Sequence, residues 1–178
     1  MNSFKKLIIP QSIIIVKELR IKIKNKDDLL SVKPGVYKFW ADEETFIEIL
    51  NGYKNQKQKF QNISFNEIKD SLEKMTVNSK NVYCFYVGRA DKRALAERIK
   101  GHINKNGGSS LNHKLQNIIA KDYEKFMDSL YFTCDLFDVE VRSYSAALIT
   151  SQQELFEINS YLRILNDDDN FLLNGEIV

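Results

Sequence analysis

Strand-forming residues gather in four short stretches of the chain. Residues 7–24 contain two β-branched runs and then the alternating segment LRIKIK, a pattern that predicts one or two strands. Residues 36–40, 81–88 and 130–141 are rich in valine, tyrosine and phenylalanine, which pack well on a pleated sheet. We therefore predict strands in all four stretches, and the run NVYCFYVG at 81–88 has the strongest strand pattern.

Most of the chain between these strands has apolar residues at helical spacing, together with residues that commonly cap helices. Ser64 followed by Glu67 has the spacing of a capping box, and the polar stretches 25–33 and 52–62 are predicted to be loops. This order of elements predicts a small mixed sheet with helices packed on it, which is an α+β domain. The predicted helices run from Asp42 to about Leu50, from Ser64 to about Met75, over 93–104, over 111–126 with Ser110 as its cap, and from Ser143 or Ser145 to about Leu165.

The composition fits one folded domain, since 43% of the 178 residues are apolar and 28% are charged. No apolar stretch approaches the roughly 20 residues that a membrane span needs. Pro10 and Lys17 interrupt the apolar start, and no signal-peptide cleavage site follows. Cys84 and Cys134 form no CxxC pair, which argues against a zinc knuckle. We expect a cytoplasmic protein with two buried, free thiols.

Charge is distributed unevenly along the chain, although the formal net charge is only +2. Residues 80–121 carry nine Lys or Arg against two Asp or Glu, whereas residues 122–178 carry three against twelve. A positive block beside a negative block creates a directed electrostatic field. The pattern fits a phosphate-binding face, and it equally fits two solvated faces of opposite charge.

Two predicted helices place polar residues beside or within their apolar faces. Arg98 and His102 are four residues apart, so they share a helix face, where an arginine can hold a phosphate by two hydrogen bonds. An ordinary surface arginine and a boundary histidine are the alternative. Glu154 falls within the apolar stripe of the last helix, where a carboxylate is costly unless it is paired, for instance with Arg98, or holds a cation. The nearby Glu157 is predicted to be a solvated charge.

These residues occur in an order that resembles the GIY-YIG nuclease superfamily. The resemblance covers residues 34–40 and about 82–166, and the segments YVGRA and RIKGH are its most specific parts. It implies an α+β fold with a small three-stranded, mainly antiparallel sheet flanked by helices. The matching residues are, in chain order, Gly35, Val36, Tyr37, Tyr86, Val87, Gly88, Arg98, His102, Glu154 and Asn166.

The resemblance implies that some of these residues act on water during phosphodiester hydrolysis. One tyrosine is implied to deprotonate or orient the attacking water, and Tyr37 is favoured over Tyr86. His102 is implied to assist proton transfer. Gly35 and Gly88 are implied to be structural.

Phosphate and metal binding are implied for a second group of residues. Arg98 is implied to stabilise the charge of the phosphate, and Arg89 to contact the phosphate that is cleaved. Glu154 is implied to hold a single Mg²⁺ or Mn²⁺ ion that serves the leaving oxygen, and Asn166 to brace the site. Further DNA-binding residues in the basic block are predicted to be Lys92, Arg93 and Lys100.

A long insertion separates the two motif tripeptides. Family members join them by a short hairpin, whereas 48 residues, 38–85, lie between the two tyrosines here. Lys54 and Lys57 in the insertion are predicted to contact DNA, with a solvated basic loop as the alternative. We divide a single domain, 1–178, into an N-terminal β extension (1–33), a nuclease-like core (34–40 and 82–166), a helical insertion (41–81) and a tail (167–178).

The sequence leads to one main hypothesis and two alternatives. The main hypothesis is a metal-dependent DNA endonuclease that binds no membrane, and a homodimer is open because the strands at 7–24 can pair within or between chains. One alternative is a non-catalytic nucleic-acid-binding module on the same scaffold, suggested by the basic residues 80–121. The other is a protein–protein adaptor whose acidic residues 122–178 engage a basic partner.

Overall fold

An antiparallel sheet of five strands organises the fold. The computed structural model describes residues 8–26, 28–56, 64–119 and 122–162. The strands are β1 (Ile8–Ile15), β2 (Gly35–Asp42), β3 (Lys74–Val77), β4 (Lys80–Ala90) and β5 (Tyr131–Phe137). They lie in the order β1-β5-β2-β4-β3, and every neighbouring pair is antiparallel.

Helices pack on both faces of this sheet. The described helices are α1 (Val16–Lys24), α2 (Asp28–Val32), α3 (Glu43–Gln56), α4 (Phe65–Ile68), α5 (Leu95–Ile103), α6 (Ser110–Ile118), α7 (Tyr123–Asp128) and α8 (Tyr144–Leu162). Helices α1 to α7 contribute to the apolar cluster on one face, and α8 contributes to the cluster on the other. Within the described ranges, no helix is both long and apolar enough to cross a lipid bilayer.

The sheet is larger than the sequence led us to expect. The prediction of an antiparallel sheet flanked by helices is confirmed, but the sheet has five strands and not three. β2, β4 and β5 form the expected core, while β1 pairs with the outer edge of β5 and β3 with the outer edge of β4. A bare edge would leave a row of backbone donors and acceptors without partners. The N-terminal extension and the insertion each supply a strand that satisfies them.

Residues 16–24 form α1, so the prediction of one or two strands over residues 7–24 is wrong for its second half. Val16, Leu19 and Ile23 are the buried residues of this helix. Their spacing of three and four residues places them on one face of a helix, while the alternation in LRIKIK is equally typical of a strand. Packing against the sheet decides in favour of the helix. α2 likewise occupies part of the predicted loop at 25–33.

The insertion differs most from its prediction. α3 continues to Gln56, into the stretch predicted to be a loop, and the helix predicted from Ser64 ends at Ile68 and is followed by β3. The capping box itself is confirmed, since the backbone N–H of Ser64 donates to the Glu67 carboxylate over 2.7 Å. The local signals therefore gave the start of each helix but not its end.

The C-terminal half follows its prediction more closely. β4, α5 and β5 lie within one to four residues of the predicted bounds. The helix predicted over 111–126 is two helices, α6 and α7, and Ser109 rather than Ser110 caps α6. Ser143 caps α8, because its Oγ atom accepts a hydrogen bond from the backbone N–H of Ala146 over 3.0 Å.

Alternation along β2 sends adjacent side chains to opposite faces of the sheet. Tyr37 and Phe39 belong to the apolar cluster under α1 to α7, whereas Val36 and Trp40 belong to the cluster under α8. Lys38 lies between them on the α8 face. Chemical groups from both faces meet at the end of the sheet where β4 finishes.

Candidate active site

β2 and β4 pair so that the motif glycines leave room for their neighbours. Tyr37 lies opposite Gly88 in the register of the two strands. A Cβ atom on Gly88 would lie 2.6 Å from the Tyr37 hydroxyl and 2.8 Å from the ring of Tyr86. A Cβ atom on Gly35 would lie 2.6 Å from the backbone oxygen of Asp135 on β5. Both glycines therefore permit close approaches that a side chain would prevent, and the long insertion leaves the two strands paired.

Helix α5 brings an arginine and a histidine to the two tyrosines. Leu95, Ile99 and Ile103 are fully buried and fix this helix against the core. Arg98 and His102 lie beside that stripe and face the tyrosine rings, with Arg98 half-buried and His102 fully buried. The spacing of four residues therefore places both side chains on one side of the helix, as expected.

His102 is held by hydrogen bonds at both ring nitrogens. Its Nε2 atom lies 2.5 Å from the Tyr37 hydroxyl, and its Nδ1 atom lies 2.7 Å from the Oγ atom of Ser109. The side chains of Asn112 and Tyr123 both donate to the backbone oxygen of His102. Burial, assisted by nearby arginine charge, lowers the pKa of His102 to about 3. The imidazole is therefore uncharged at neutral pH.

The two tyrosines differ in their access to solvent. Tyr37 is fully buried, and burial raises its pKa well above the ordinary value. Tyr86 is also buried, at 5% exposure, but it forms part of a cleft wall. Burial raises the pKa of Tyr86 as well, while the charge of Arg98 and a hydrogen bond donated by Tyr37 act in the opposite direction. Tyr86 is therefore the tyrosine that a bound molecule can reach, and Tyr37 lies behind it.

Tyr86 opens onto a cleft of about 410 Å³ at the end of β4. Arg98 lines this cleft, and its Nε atom is buried and has no hydrogen-bond partner within the described part of the chain. A buried donor without an acceptor is costly, and phosphate oxygens are strong acceptors for arginine. The residues that line the cleft are Tyr86, Arg89, Ala90, Asp91, Lys92, Arg93, Arg98 and Glu154.

Glu154 enters the cleft from α8. Its Oε2 atom lies 3.3 Å from the Nε atom of Arg89. The Nη1 atom of Arg89 also donates a hydrogen bond to the Oγ atom of Ser151 on the same helix. Burial raises the pKa of Glu154, while Arg89 and Arg98 act to lower it and Asp91 adds to the rise. The predicted need for a cationic partner is therefore met directly by Arg89, and Arg98 acts over a longer distance.

The acidic groups of the cleft suit one divalent cation. Glu154 reaches the cleft, and Asp91 also lines it. Mg²⁺ is usually bound through one or two carboxylates, with water and substrate phosphate completing the shell. Among the described residues, no group of three or more His, Cys, Asp or Glu side chains converges to form a metal site. The residues present therefore fit an ion that is shared with a phosphate.

Of the predicted phosphate-binding and DNA-binding residues whose side chains the structure describes, Lys100 does not line the cleft. Lys100 is two positions after Arg98, about 200° around α5, and its exposed side chain is on the opposite face of that helix. Lys54 belongs to α3, but its side chain lies outside the described residues. Lys57 and Asn166 lie wholly outside them.

Three residues of this region did not emerge from the sequence. Ser109 adjoins the serine chosen as the helix cap, and only the fold distinguishes between the two neighbours. Ser151 is three residues before Glu154, so a helical wheel would have placed both on one side of α8. Asp91 directly follows the segment YVGRA, but the charge count of residues 80–121 does not distinguish it from Glu97, the other acidic residue there.

Glu157 is not the solvated charge that the sequence predicted. Its side chain is 15% exposed, and its Oε2 atom lies 2.6 Å from the Nζ atom of Lys38. Lys38 follows Tyr37 along β2 and thus faces α8 from the other side of the sheet. Lys38 therefore covers Glu157 at the edge of the apolar stripe of α8. A helical wheel cannot show this contact, because the lysine belongs to a distant strand.

Replacement of Gly88 by alanine tests the packing of the two tyrosines. The added methyl group would overlap both rings, and the buried Tyr37 ring has no space to retreat into. We expect Gly88→Ala to lower the free energy of unfolding by about 1–3 kcal/mol, as overpacking does. The measurement is urea denaturation at neutral pH. The matched control is Gly101→Ala on α5, whose Cβ atom would meet its nearest neighbour at 3.4 Å, an ordinary contact. Equal stability of the two variants would contradict this account.

The pH dependence of stability tests the burial of His102. The unfolded chain binds a proton near the ordinary histidine pKa of about 6.5, whereas folded His102 binds one only near pH 3. The free energy of unfolding therefore decreases as the pH falls below about 6.5. His102 alone should lower it by about 2 kcal/mol between pH 7 and pH 5. Urea denaturation at both pH values should show this loss in the wild type and not in His102→Gln, after each is compared with its own stability at pH 7. The same pH dependence in both proteins would rule out a buried, uncharged histidine.

Comparison with known proteins agrees with the resemblance found in the sequence. A family model described as the GIY-YIG catalytic domain matches residues 35–130, slightly more than half of the chain. No curated protein and no solved structure matches the chain. The matched range contains both tyrosines, the α5 arginine and histidine, and most of the cleft wall. The chain belongs to the GIY-YIG catalytic domain family, whose members are typically endonucleases.

Proposed function

We propose that this protein is a metal-dependent endonuclease that hydrolyses phosphodiester bonds of DNA. One observation carries the proposal: Tyr86 on β4, Arg98 on α5 and Glu154 on α8 come from three separate elements and line one cleft. Hydrolysis needs an oriented water molecule and positive charge on the phosphate oxygens, and positioning with electrostatics supplies most of the rate. These three groups supply both requirements.

Positive charge favours a polyanion as the molecule that binds in the cleft. Arg89, Lys92, Arg93 and Arg98 all line it. Arginine side chains hold phosphates through paired hydrogen bonds, and the Nε atom of Arg98 is a buried donor that has none of its own in the described structure. We assign Arg98 to the phosphate that is cleaved, and the more exposed Lys92 and Arg93 to neighbouring phosphates of the same strand.

Tyr86 is the tyrosine that we assign to the attacking water. The sequence favoured Tyr37 for this role, but Tyr37 is fully buried and the cleft wall contains Tyr86. Arg98 and the hydrogen bond from Tyr37 both favour the phenolate form of Tyr86. In the proposed reaction Tyr86 first loses its hydroxyl proton to solvent, and the resulting phenolate orients the water and receives one of its protons, which restores the phenol. The water oxygen bonds to phosphorus, the bond to the leaving oxygen breaks, and the leaving oxygen takes up a proton from solvent. Tyr37 acts through Tyr86.

His102 is assigned a positioning role rather than a proton-carrying one. A histidine with a pKa near 3 holds no extra proton at neutral pH, and protonating it inside the core is costly. Its two hydrogen bonds instead fix the Tyr37 hydroxyl relative to Ser109. That hydroxyl in turn faces Tyr86.

Glu154 is the residue that would hold Mg²⁺ or Mn²⁺. When bound, such an ion neutralises charge on the phosphate and stabilises the leaving oxygen. Arg89 already pairs with Glu154 and keeps its carboxylate directed into the cleft. Cys84 and Cys134 are both free and buried, in keeping with a reducing compartment such as the cytoplasm.

Cleavage of plasmid DNA in the presence of Mg²⁺ or Mn²⁺ tests the proposal. We expect the wild type to nick supercoiled plasmid and EDTA to abolish nicking. Tyr86→Phe, Arg98→Ala and Glu154→Gln should each reduce the rate by about 100-fold or more, since each removes a group that acts on the reacting atoms. Tyr37→Phe should reduce it less, because it acts indirectly.

Lys100→Ala is the matched control for Arg98→Ala. Both remove a cation from α5, but Lys100 is exposed on the opposite face of the helix. We expect this control to cleave at the wild-type rate. Equal nicking by the wild type, Glu154→Gln and Arg98→Ala would exclude the proposed site, whereas metal-independent binding of DNA without cleavage would favour a non-catalytic binding module.

A further inference from the structure

A buried ion cluster lies on the α8 face of the sheet, outside the cleft. The Nζ atom of Lys38 lies 2.9 Å from a carboxylate oxygen of Glu73 and 2.6 Å from one of Glu157. The side chains are 14%, 32% and 15% exposed, respectively. Burial alone lowers the pKa of Lys38, but the two carboxylates more than offset this and raise it, so the lysine is charged at neutral pH. We call these three residues the Lys38 cluster.

The Lys38 cluster joins three parts of the chain that sequence separates widely. Lys38 directly follows Tyr37 on β2, and Glu73 lies in the insertion immediately before β3. Glu157 lies on α8, three residues after Glu154. The cluster therefore links the strand that carries a motif tyrosine, the insertion and the helix that carries the cleft carboxylate.

Two cations on neighbouring strands hold α8 at neighbouring positions. Arg89 on β4 lies opposite Val36, two residues before Lys38, so the backbone positions of Arg89 and Lys38 are about 7 Å apart along the strand direction. Arg89 pairs with Glu154, and Lys38 pairs with Glu157. Glu154 and Glu157 are three residues apart, which is about 4.5 Å of rise along the helix axis. Together the two ion pairs attach α8 to two neighbouring strands at two points.

Few apolar side chains of α8 are buried near Glu154, so the two ion pairs matter for the placement of the helix. Ala146 and Ile158 are buried, and Ile149 packs against the cluster beneath them, but Leu155 and Phe156 between these residues are exposed. Glu157 is further fixed by Gln153, whose side-chain amide donates to it over 2.7 Å. Near Glu154 the helix is therefore fixed largely by polar contacts.

We propose that Lys38 is a positioning residue that holds α8, and with it Glu154, at the correct distance from Tyr86 and Arg98. Lys38 does not line the cleft, and Glu73 serves to hold its ammonium group in place. This inference rests on the proposed nuclease function for its catalytic consequence. Its structural part, the placement of α8, does not depend on that function.

Glu157→Gln and Glu73→Gln form a matched pair that separates positioning from stability. Each variant keeps the size of the side chain and removes one negative charge from the same lysine. Both should unfold at a lower urea concentration than the wild type, by similar amounts. Only Glu157→Gln releases α8, so only this variant should lower kcat, by at least about 10-fold with KM unchanged, because small misplacements of catalytic groups are costly.

Amide hydrogen exchange supplies a readout that is independent of catalysis. We expect exchange in residues 146–158 of α8 to be faster in Glu157→Gln and unchanged in Glu73→Gln. Lys38→Arg should retain more activity than Lys38→Met, because it keeps the cation. Should Lys38→Met not fold, the two glutamine variants still decide the question.

The outcomes separate this inference from the proposed function. Equal loss of kcat in Glu157→Gln and Glu73→Gln, a change in KM alone, or unchanged exchange in α8 would overturn the positioning role. If the wild type cleaves no DNA but exchange in α8 rises only in Glu157→Gln, the placement of α8 by Lys38 is supported and the nuclease function is rejected.

Discussion

The fold of this protein depends on the close pairing of β2 with β4 at Tyr37 and Gly88. Only glycine leaves space for both motif tyrosines at this position, and the fully buried Tyr37 then meets His102 from α5. The same register places Lys38 and Arg89 on the opposite face, where α8 packs. A single strand pairing therefore determines which groups reach the cleft from each side of the sheet.

Charge is arranged in layers around that pairing. An uncharged histidine and two tyrosines with raised pKa values lie on the core side, whereas ion pairs with two α8 carboxylates lie on the other. The core side gains little from charge because desolvation is costly there. The cleft forms at the end of the sheet, where Arg98 from the core side and Glu154 from α8 come together. In the proposed function, that location lets groups from opposite faces of the sheet act on one phosphate.

Local sequence signals identified much of this arrangement, and long-range contacts decided the rest. Hydrophobic runs located the four principal strands, and the spacing of four between Arg98 and His102 gave their common helix face. The sequence could not show that residues 16–24 are helical, because their apolar positions satisfy both periods until the sheet packs against them. Nor could it show that β3 pairs with β4, or that Lys38 covers Glu157, since both contacts join distant segments. The roles assigned to the two tyrosines depended on burial, which no local pattern reveals.

The central claim is that one phosphate is held between Arg98, Tyr86 and Glu154. The most direct measurement is a crystal structure of the protein with a short DNA duplex and Ca²⁺, an ion that can occupy oxygen-ligand sites. The account predicts a phosphate hydrogen-bonded to the Arg98 guanidinium, the Tyr86 hydroxyl facing it, and the cation bound between that phosphate and Glu154. DNA bound on another surface, with Arg98 and Glu154 touching neither phosphate nor cation, would contradict it.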